Sequence, residues 1–180
     1  MKVRRVVTGH SWDGKATCVA DEFVAPVTLD LLPGNEFYRL WGADSTPMFP
    51  DDGSTAEFAD YFPPVGGFRF GLFNIPPDSE RRTPSKCEIE AVYAEFEQKL
   101  PGMAQHLELD DPGMHTTATI DYGIVLSGRP VLELDDGEEV QLNPGDTYIQ
   151  NGTRHRWSNP GEEPALLAVT LIGAVHHGIG

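Results

Sequence analysis

Residues 113–128 read GMHTTATIDYGIVLSG, and residues 144–159 read PGDTYIQNGTRHRWSN. Polar and apolar residues alternate along the first stretch. This predicts a strand over 117–126, because successive side chains of a strand point to opposite faces. The second stretch begins with a Pro-Gly pair that suits a type II turn, since Pro fixes φ at the first central position and Gly supplies positive φ at the second. Both stretches therefore predict short strands that meet at tight turns.

The residues around these stretches extend the pattern. Strand-like runs also cover 131–134, 138–142, 147–150, 155–158 and 165–172. Asp136-Gly137 lies between two of them and favours a type I′ hairpin turn, which needs positive φ at both central residues. Six short strands in about sixty residues indicate an antiparallel sandwich or barrel.

Residues 1 to 80 contain further β-like runs, at 3–7, 16–20, 37–41 and 67–75, and between the last two lies an acidic, proline-rich stretch over 44–64. A loop of that length is uncommon in a compact domain unless it serves a function, so it is interpreted as an arm that wraps the surface, or as a lid. One helix is predicted after the capping-box sequence SKCE at 85–88, and Pro101-Gly102 ends it. Its apolar stripe consists of Ile89, Val92, Tyr93, Phe96 and Leu100.

Composition narrows the function. The 180 residues include 13 Lys and Arg against 28 Asp and Glu, a formal net charge of -15, which argues against nucleic acid or an anionic membrane as partner. Two cysteines provide neither a disulfide framework nor a zinc knuckle, and no signal peptide or long apolar run occurs, so a cytoplasmic protein is expected. P-loop, G-x-G-x-x-G and G-x-S-x-G motifs are absent from the sequence.

The two opening stretches resemble the paired sequence motifs of the cupins, G(X)5HXH(X)3,4E(X)6G and G(X)5PXG(X)2H(X)3N. This resemblance implies an all-β fold: a jelly-roll barrel, frequently dimeric, with a site inside its mouth. Residues 113–173 are then expected to form the barrel core. Residues 1–112 are expected to supply an N-terminal extension of strands and loops and one outer helix, all packed on that barrel within one structural domain.

The sequence departs from the cupin motifs at three places. Thr117 stands where the second metal-binding histidine is usual, and Asp121 replaces the usual glutamate. The turn before Gly152 is one residue shorter and lacks the usual proline.

Strand parity predicts a site independently of the family. His115, Thr117, Thr119 and Asp121 share one face of the first predicted strand, and burying such a face is costly unless its groups are hydrogen-bonded, metal-bound or hydrated. On a later strand, His155 shares its face with Trp157. If both faces point inward, His155 can meet His115 and Asp121.

Three interpretations of this cluster remain open. His115, Asp121 and His155 match a facial triad for Fe(II), with Mn, Ni or Zn as substitutes, and Thr117 would then orient a ligand or water. Without metal, Asp121 and His155 would act as acid and base in an isomerisation, dehydration or decarboxylation. In the third interpretation, His115 and Asp121 form a buried polar pair that has no catalytic role.

The remaining predicted pocket residues are Thr119, Trp157 and Arg69. Arg69 is a candidate for binding a substrate carboxylate, although an ion pair with one of the many acids is an equal alternative. The predicted function is the binding and metal-assisted transformation of a small organic metabolite in the barrel of a homodimer, with oxygenation, decarboxylation, isomerisation and dehydration as the open reaction types. The rival hypotheses are a metal-free binding protein and a cupin retained for assembly alone.

Overall fold

A computed structural model describes residues 1–54, 58–82, 84–85 and 88–178. One α-helix, α1 (Ile89–Lys99), lies among the strands. In chain order the strands are β1 (Val3–His10), β2 (Ala16–Val24), β3 (Val27–Thr28), β4 (Glu36–Ala43), β5 (Phe68–Ile75), β6 (Thr119–Ser127), β7 (Val131–Glu133), β8 (Glu139–Gln141), β9 (Thr147–Asn151), β10 (Arg156–Ser158) and β11 (Ala165–Gly173).

Two antiparallel sheets form the barrel, which confirms the predicted all-β class. The large sheet has the order β3-β4-β5-β11-β6-β9, and the small sheet has the order β10-β7-β8. Val125, Tyr148 and Leu167 of the large sheet pack with Leu142 and Trp157 from the small-sheet side. Three strands of the large sheet come from residues 1–112, so this part of the chain builds barrel wall as well as packing against it.

The predicted turns adopt the expected backbone. Asp136 has φ 57° and Gly137 has φ 75°, and Gly145 has φ 91°. These positive values are the ones that the hairpin turn and the Pro-Gly turn require. Local turn chemistry therefore sets where β7 ends and where β9 begins.

The predicted helix α1 packs against the large sheet, and its Phe96 lines the barrel cavity. Val92, Phe96 and Leu100 are buried together with Leu29 and Met103. The Glu88 carboxylate accepts a hydrogen bond from the Ser85 N–H at 2.9 Å, which is one half of a capping box. The two middle residues of the SKCE motif, 86 and 87, lie outside the described residues.

The arm predicted over 44–64 wraps the barrel in the parts that are described. The His10 N–H donates to the Asp51 carbonyl at 2.7 Å, and the Tyr61 N–H donates to the Pro101 carbonyl at 2.7 Å. Residues 55–57 lie outside the described residues. Beyond them the arm runs inward and places Tyr61 and Phe62 in the wall of the central cavity.

The faces of β6 follow the predicted parity. Thr119, Asp121 and Val125 are buried, whereas Tyr122 and Ile124 on the opposite face are exposed. The polar face of this strand therefore points into the barrel and the apolar face points outward. Burial of Asp121 is the feature from which the site follows.

Candidate active site in the barrel

His115 and His155 face each other across a two-residue antiparallel bridge. Each backbone N–H donates to the carbonyl of the other at 3.0 Å. Side chains of such a pair project on the same side, and the two imidazole rings lie 4.1 Å apart between centroids with a 51° tilt. The predicted meeting of these histidines is confirmed.

Both histidines are held in one tautomer by the backbone. Nδ1 of His115 lies 3.1 Å from the Gly113 carbonyl, and Nδ1 of His155 lies 2.8 Å from the Thr153 carbonyl. Because a carbonyl only accepts, each Nδ1 carries the hydrogen and each Nε2 keeps a lone pair. Burial lowers the pKa of both imidazoles, that of His155 to about 3 with a further contribution from His115. The pair is therefore neutral at pH 7.

Asp121 is buried, and its Oδ1 has no hydrogen-bond partner among the described residues. Burial raises the pKa of its carboxyl to about 6, opposed by the Thr119 hydroxyl. That hydroxyl lies 2.8 Å from the hydroxyl of Thr117. A buried carboxyl with one unpaired oxygen and a raised pKa is suited to proton transfer.

Two tyrosines lie near this carboxyl. Burial, with the charge of Asp121 as the next contribution, raises the pKa of Tyr61 and of Tyr148. Both phenols therefore stay protonated and can donate hydrogen bonds at neutral pH. Neither was predicted as a site residue, although Tyr148 lies in a predicted strand with the same parity as buried Gln150.

One cavity of about 180 Å³ lies between the two sheets. It is lined by the two histidines, Asp121 and the two tyrosines. Its wall is mainly aromatic and aliphatic, with Phe37, Phe62, Phe73, Ile75, Phe96, Met103, Leu107, Trp157, Val169 and Leu171. Its polar groups are those already described, with Asn35, Asn74, Arg81 and His106 in addition. The predicted residues His115, Asp121, His155 and Trp157 thus share one cavity.

Three other predicted residues lie elsewhere. Thr117 is buried, and Thr119 lines a neighbouring hollow with Asp44 and Asp60. Arg69 does not line this cavity and instead forms the ion pair that was its alternative prediction. Its guanidinium donates to the carbonyls of Ala43, Phe68 and Asp60 and pairs with Asp44 at 2.5 Å, which fastens the arm to β5.

The donor set does not form a ready metal site. In the described ranges, no three His, Cys, Asp or Glu side chains are grouped so that they could hold a metal ion. His115 and His155 adjoin each other, whereas Asp121 lines the same cavity with Tyr61 and Tyr148 and is not grouped with the histidines. The three residues of the predicted triad line the same cavity, but they are not grouped around one point at which a metal ion could bind.

Two arginines clamp the backbone beside the histidines. Arg154 donates through Nε and Nη2 to Glu108 at 2.7 Å, and Arg156 donates through the same two atoms to Glu133 at 2.7 Å. Both also reach Asp111. This network ties the segment before His115 to the segment around His155.

An antiparallel barrel with a histidine pair and a buried carboxyl around a mainly apolar cavity defines the class, an all-β barrel protein with an internal cavity. Residues 108–171 match the family model described as "Cupin domain". The chain therefore carries a cupin domain, and the predicted membership of the cupin superfamily is confirmed.

The curated relatives resemble a short part of the chain. Oryzines biosynthesis cluster protein J of Aspergillus oryzae is 42% identical over 50 residues, which are 28% of each chain. Cupin-domain-containing oxidoreductase fogC of Aspergillus ruber is 41% identical over 46 residues, 26% of this chain and 24% of that protein. The matched segments thus span about a quarter of these relatives.

Among solved structures, the polyketide cyclase RemF from Streptomyces resistomycificus superposes with a TM-score of 0.46 at 15% identity, covering 82% of this chain and 72% of that one. The cupin domain of Schizosaccharomyces pombe Cnp3 superposes with a TM-score of 0.45 at 13% identity, covering 96% and 89%.

Proposed function

We propose that this protein is a cytoplasmic cupin enzyme that transforms a small organic molecule inside the barrel by proton transfer through Asp121. The observation that carries the proposal is the buried Asp121 carboxyl, which lines the cavity and has one oxygen without a hydrogen-bond partner among the described residues. An unsatisfied buried polar atom is costly, and such atoms concentrate at functional sites. A ligand that hydrogen-bonds to this oxygen would remove the cost.

The volume and the apolar lining of the cavity limit the size and the polarity of the ligand. An apolar cavity of roughly 150 Å³ is large enough for benzene. A cavity of about 180 Å³ with aromatic and aliphatic walls therefore suits a molecule with one ring or a comparable apolar body. Several relatives are named as biosynthesis cluster proteins, which supports a role in the metabolism of small molecules.

The residues divide the work of a proton transfer. With a pKa near 6, Asp121 is largely ionised at pH 7 and takes a proton from the substrate as a general base. The phenols of Tyr61 and Tyr148 donate hydrogen bonds to negative charge that develops on a substrate oxygen. Asp121 then returns the proton at a second atom, which completes an isomerisation, or to a leaving group, which completes a dehydration.

A metal-assisted reaction is the second candidate, favoured by the adjacent neutral histidines with free Nε2 atoms. His115 and His155 would supply two nitrogen ligands, while Asp121 lines the same cavity without being grouped with them in the described residues. Fe, Mn, Ni and Zn all accept such ligands. When bound, the metal would polarise a substrate oxygen or serve redox chemistry, as the name of the oxidoreductase relative suggests.

One set of variants tests both candidates. Turnover of single-ring metabolites by the untagged protein is followed by mass spectrometry, with Asp121→Asn as test and exposed Asp110→Asn as control. Proton transfer predicts loss of turnover with retained affinity in Asp121→Asn alone. Equal loss of turnover and affinity would refute that role and favour a binding protein.

Elemental analysis of the same preparations decides the second candidate. Stoichiometric metal that is lost in both His115→Ala and His155→Ala would establish a metal site. Substoichiometric metal, unchanged by either substitution, would refute it.

A further inference from the structure

Arg81 lies at the rim of the barrel cavity. Its Nη1 donates at 3.1 Å to the carbonyl of Trp157, a residue of the cavity wall, and at 3.1 Å to Asp78. The cavity lining includes Arg81 itself. The side chain is thus tethered by one nitrogen at a fixed point of the mouth.

The other edge of this guanidinium is unused. Nε and Nη2 of Arg81 make no hydrogen bond to any part of the chain that the structure describes. These two atoms form the fork that binds a carboxylate in parallel. The same edge does so elsewhere in this protein, where Arg154 binds Glu108 and Arg156 binds Glu133.

Arg81 is also the only lysine or arginine of the cavity wall, as far as the wall is described. No lysine or second arginine lines it, and His115 and His155 are neutral. The ionisable carboxyl, Asp121, is buried in the barrel among apolar walls. The cavity therefore offers a cationic fork at its mouth and an apolar body behind it.

We propose that Arg81 binds a carboxylate of the ligand at the cavity mouth and that the apolar part of the ligand enters the barrel. The ligand class is a small carboxylic acid with one ring or a comparable apolar group. This inference deepens the proposed function, because it rests on the same cavity being the ligand site. Arg81 is a specificity-determining residue in this scheme, and the group it recognises lies away from Asp121.

Benzoate and benzamide test the proposal because they share the ring and differ in charge. Their affinities for the full chain are measured by calorimetry at pH 7.5. The wild type is expected to bind benzoate at least about fivefold more tightly, since hydrogen bonds to charged groups exceed neutral ones. Arg81→Gln is expected to abolish that preference.

Arg82→Gln is the matched control, because Arg82 pairs with Glu88 and with the Leu31 carbonyl and does not line the cavity. It should keep the preference for benzoate. Arg81→Lys keeps the charge and loses the fork, so an intermediate preference is expected. Circular dichroism checks that each variant is folded.

The proposal is overturned if the wild type binds both probes equally, if benzoate does not bind, or if Arg81→Gln keeps the preference. The measurement needs no turnover, so it is independent of the role of Asp121. Selective benzoate binding without Asp121-dependent turnover would refute the proposed reaction and leave the carboxylate site standing.

Discussion

Tyr148 lies directly across Gly123 of the neighbouring strand, so that a Cβ at position 123 would fall 2.0 Å from the Cζ of the phenol ring. Tyr148 and Gly123 are register partners between β9 and β6. Only glycine leaves room for the ring over β6, two residues from Asp121. The absence of a side chain at 123 thus places a phenol in the cavity.

We expect Gly123→Ala to destabilise the protein by about 1–3 kcal/mol, because the added methyl forces the ring of Tyr148 out of place. Denaturant unfolding measures the free energy. Tyr148→Val should relieve the clash, so the double variant should lose less than the sum of the single losses. Additive losses would show that the two residues do not interact.

Asp121 makes the free energy of unfolding fall as pH rises. Its pKa is raised from 3.8 to about 6 on folding, so its contribution is most favourable below pH 4 and is lost as pH rises through 6. Between pH 4.5 and 7.5, Asp121→Asn should gain about 2 kcal/mol of unfolding free energy relative to wild type. Asp110→Asn serves as the exposed control. A pH-independent difference between Asp121→Asn and wild type would contradict the raised pKa.

His155 acts in the opposite direction. Its pKa is lowered on folding to about 3, so the unfolded chain binds more protons between pH 3 and 6.5 and stability falls as pH falls through that range. His155→Gln should therefore resist acid unfolding better than wild type. Thermal melts at pH 4.5 and 7.5 measure this. If wild type and His155→Gln lose the same melting temperature between pH 7.5 and pH 4.5, the lowered pKa of His155 is refuted.

The histidine tautomers can be observed directly. We expect His115 and His155 to carry a proton on Nδ1 and none on Nε2 at pH 8, because backbone carbonyls accept from each Nδ1, and His155 to keep this state at pH 5. Two-bond ¹H–¹⁵N spectra of labelled protein distinguish the ring nitrogens. Titration of both rings near their ordinary pKa would contradict the buried, neutral pair.

We propose that the outer face of the large sheet forms the expected homodimer. Phe70, Thr170, Tyr122 and Ile149 form a row across four strands. The outward positions around that row on β6, β9 and β11 carry no charge, although the chain has a net charge of -15. A second copy offers the same uncharged, apolar face, which suits a two-fold interface.

Tyr122→Lys should convert the dimer to a monomer in light scattering after gel filtration. Val6→Lys is the control, because Val6 is equally exposed on β1 outside this face. A monomeric wild type, or a dimer that survives Tyr122→Lys, would refute the interface.

No helix in the described part of the chain is long and apolar enough to cross a membrane.

Much of the fold was predictable because its signals are local. Alternation with period two located the strands, and paired turn residues located Asp136-Gly137 and Gly145. The inward face of β6 followed from the cost of burying polar groups in a regular strand. The capped helix followed from its apolar spacing and from the Pro-Gly pair behind it.

The cavity was only partly predictable. Tyr61 reaches it from the arm, Arg81 from the loop after β5, and His106 from the segment after α1. No local pattern indicates that three such segments converge. The surroundings of Arg69 were not predictable for the same reason, since two of its partners, Asp44 and Asp60, come from the arm.

The sequence by itself determined the strands, the turns, the cupin motifs and the common face of His115, Thr119 and Asp121, because each depends on neighbours along the chain. Only the tertiary structure decided that the histidines stack on each other and that Asp121 shares their cavity with two tyrosines. Ring contacts, burial and pKa depend on segments up to a hundred residues apart, and the desolvation that tunes them exists only once the barrel has closed.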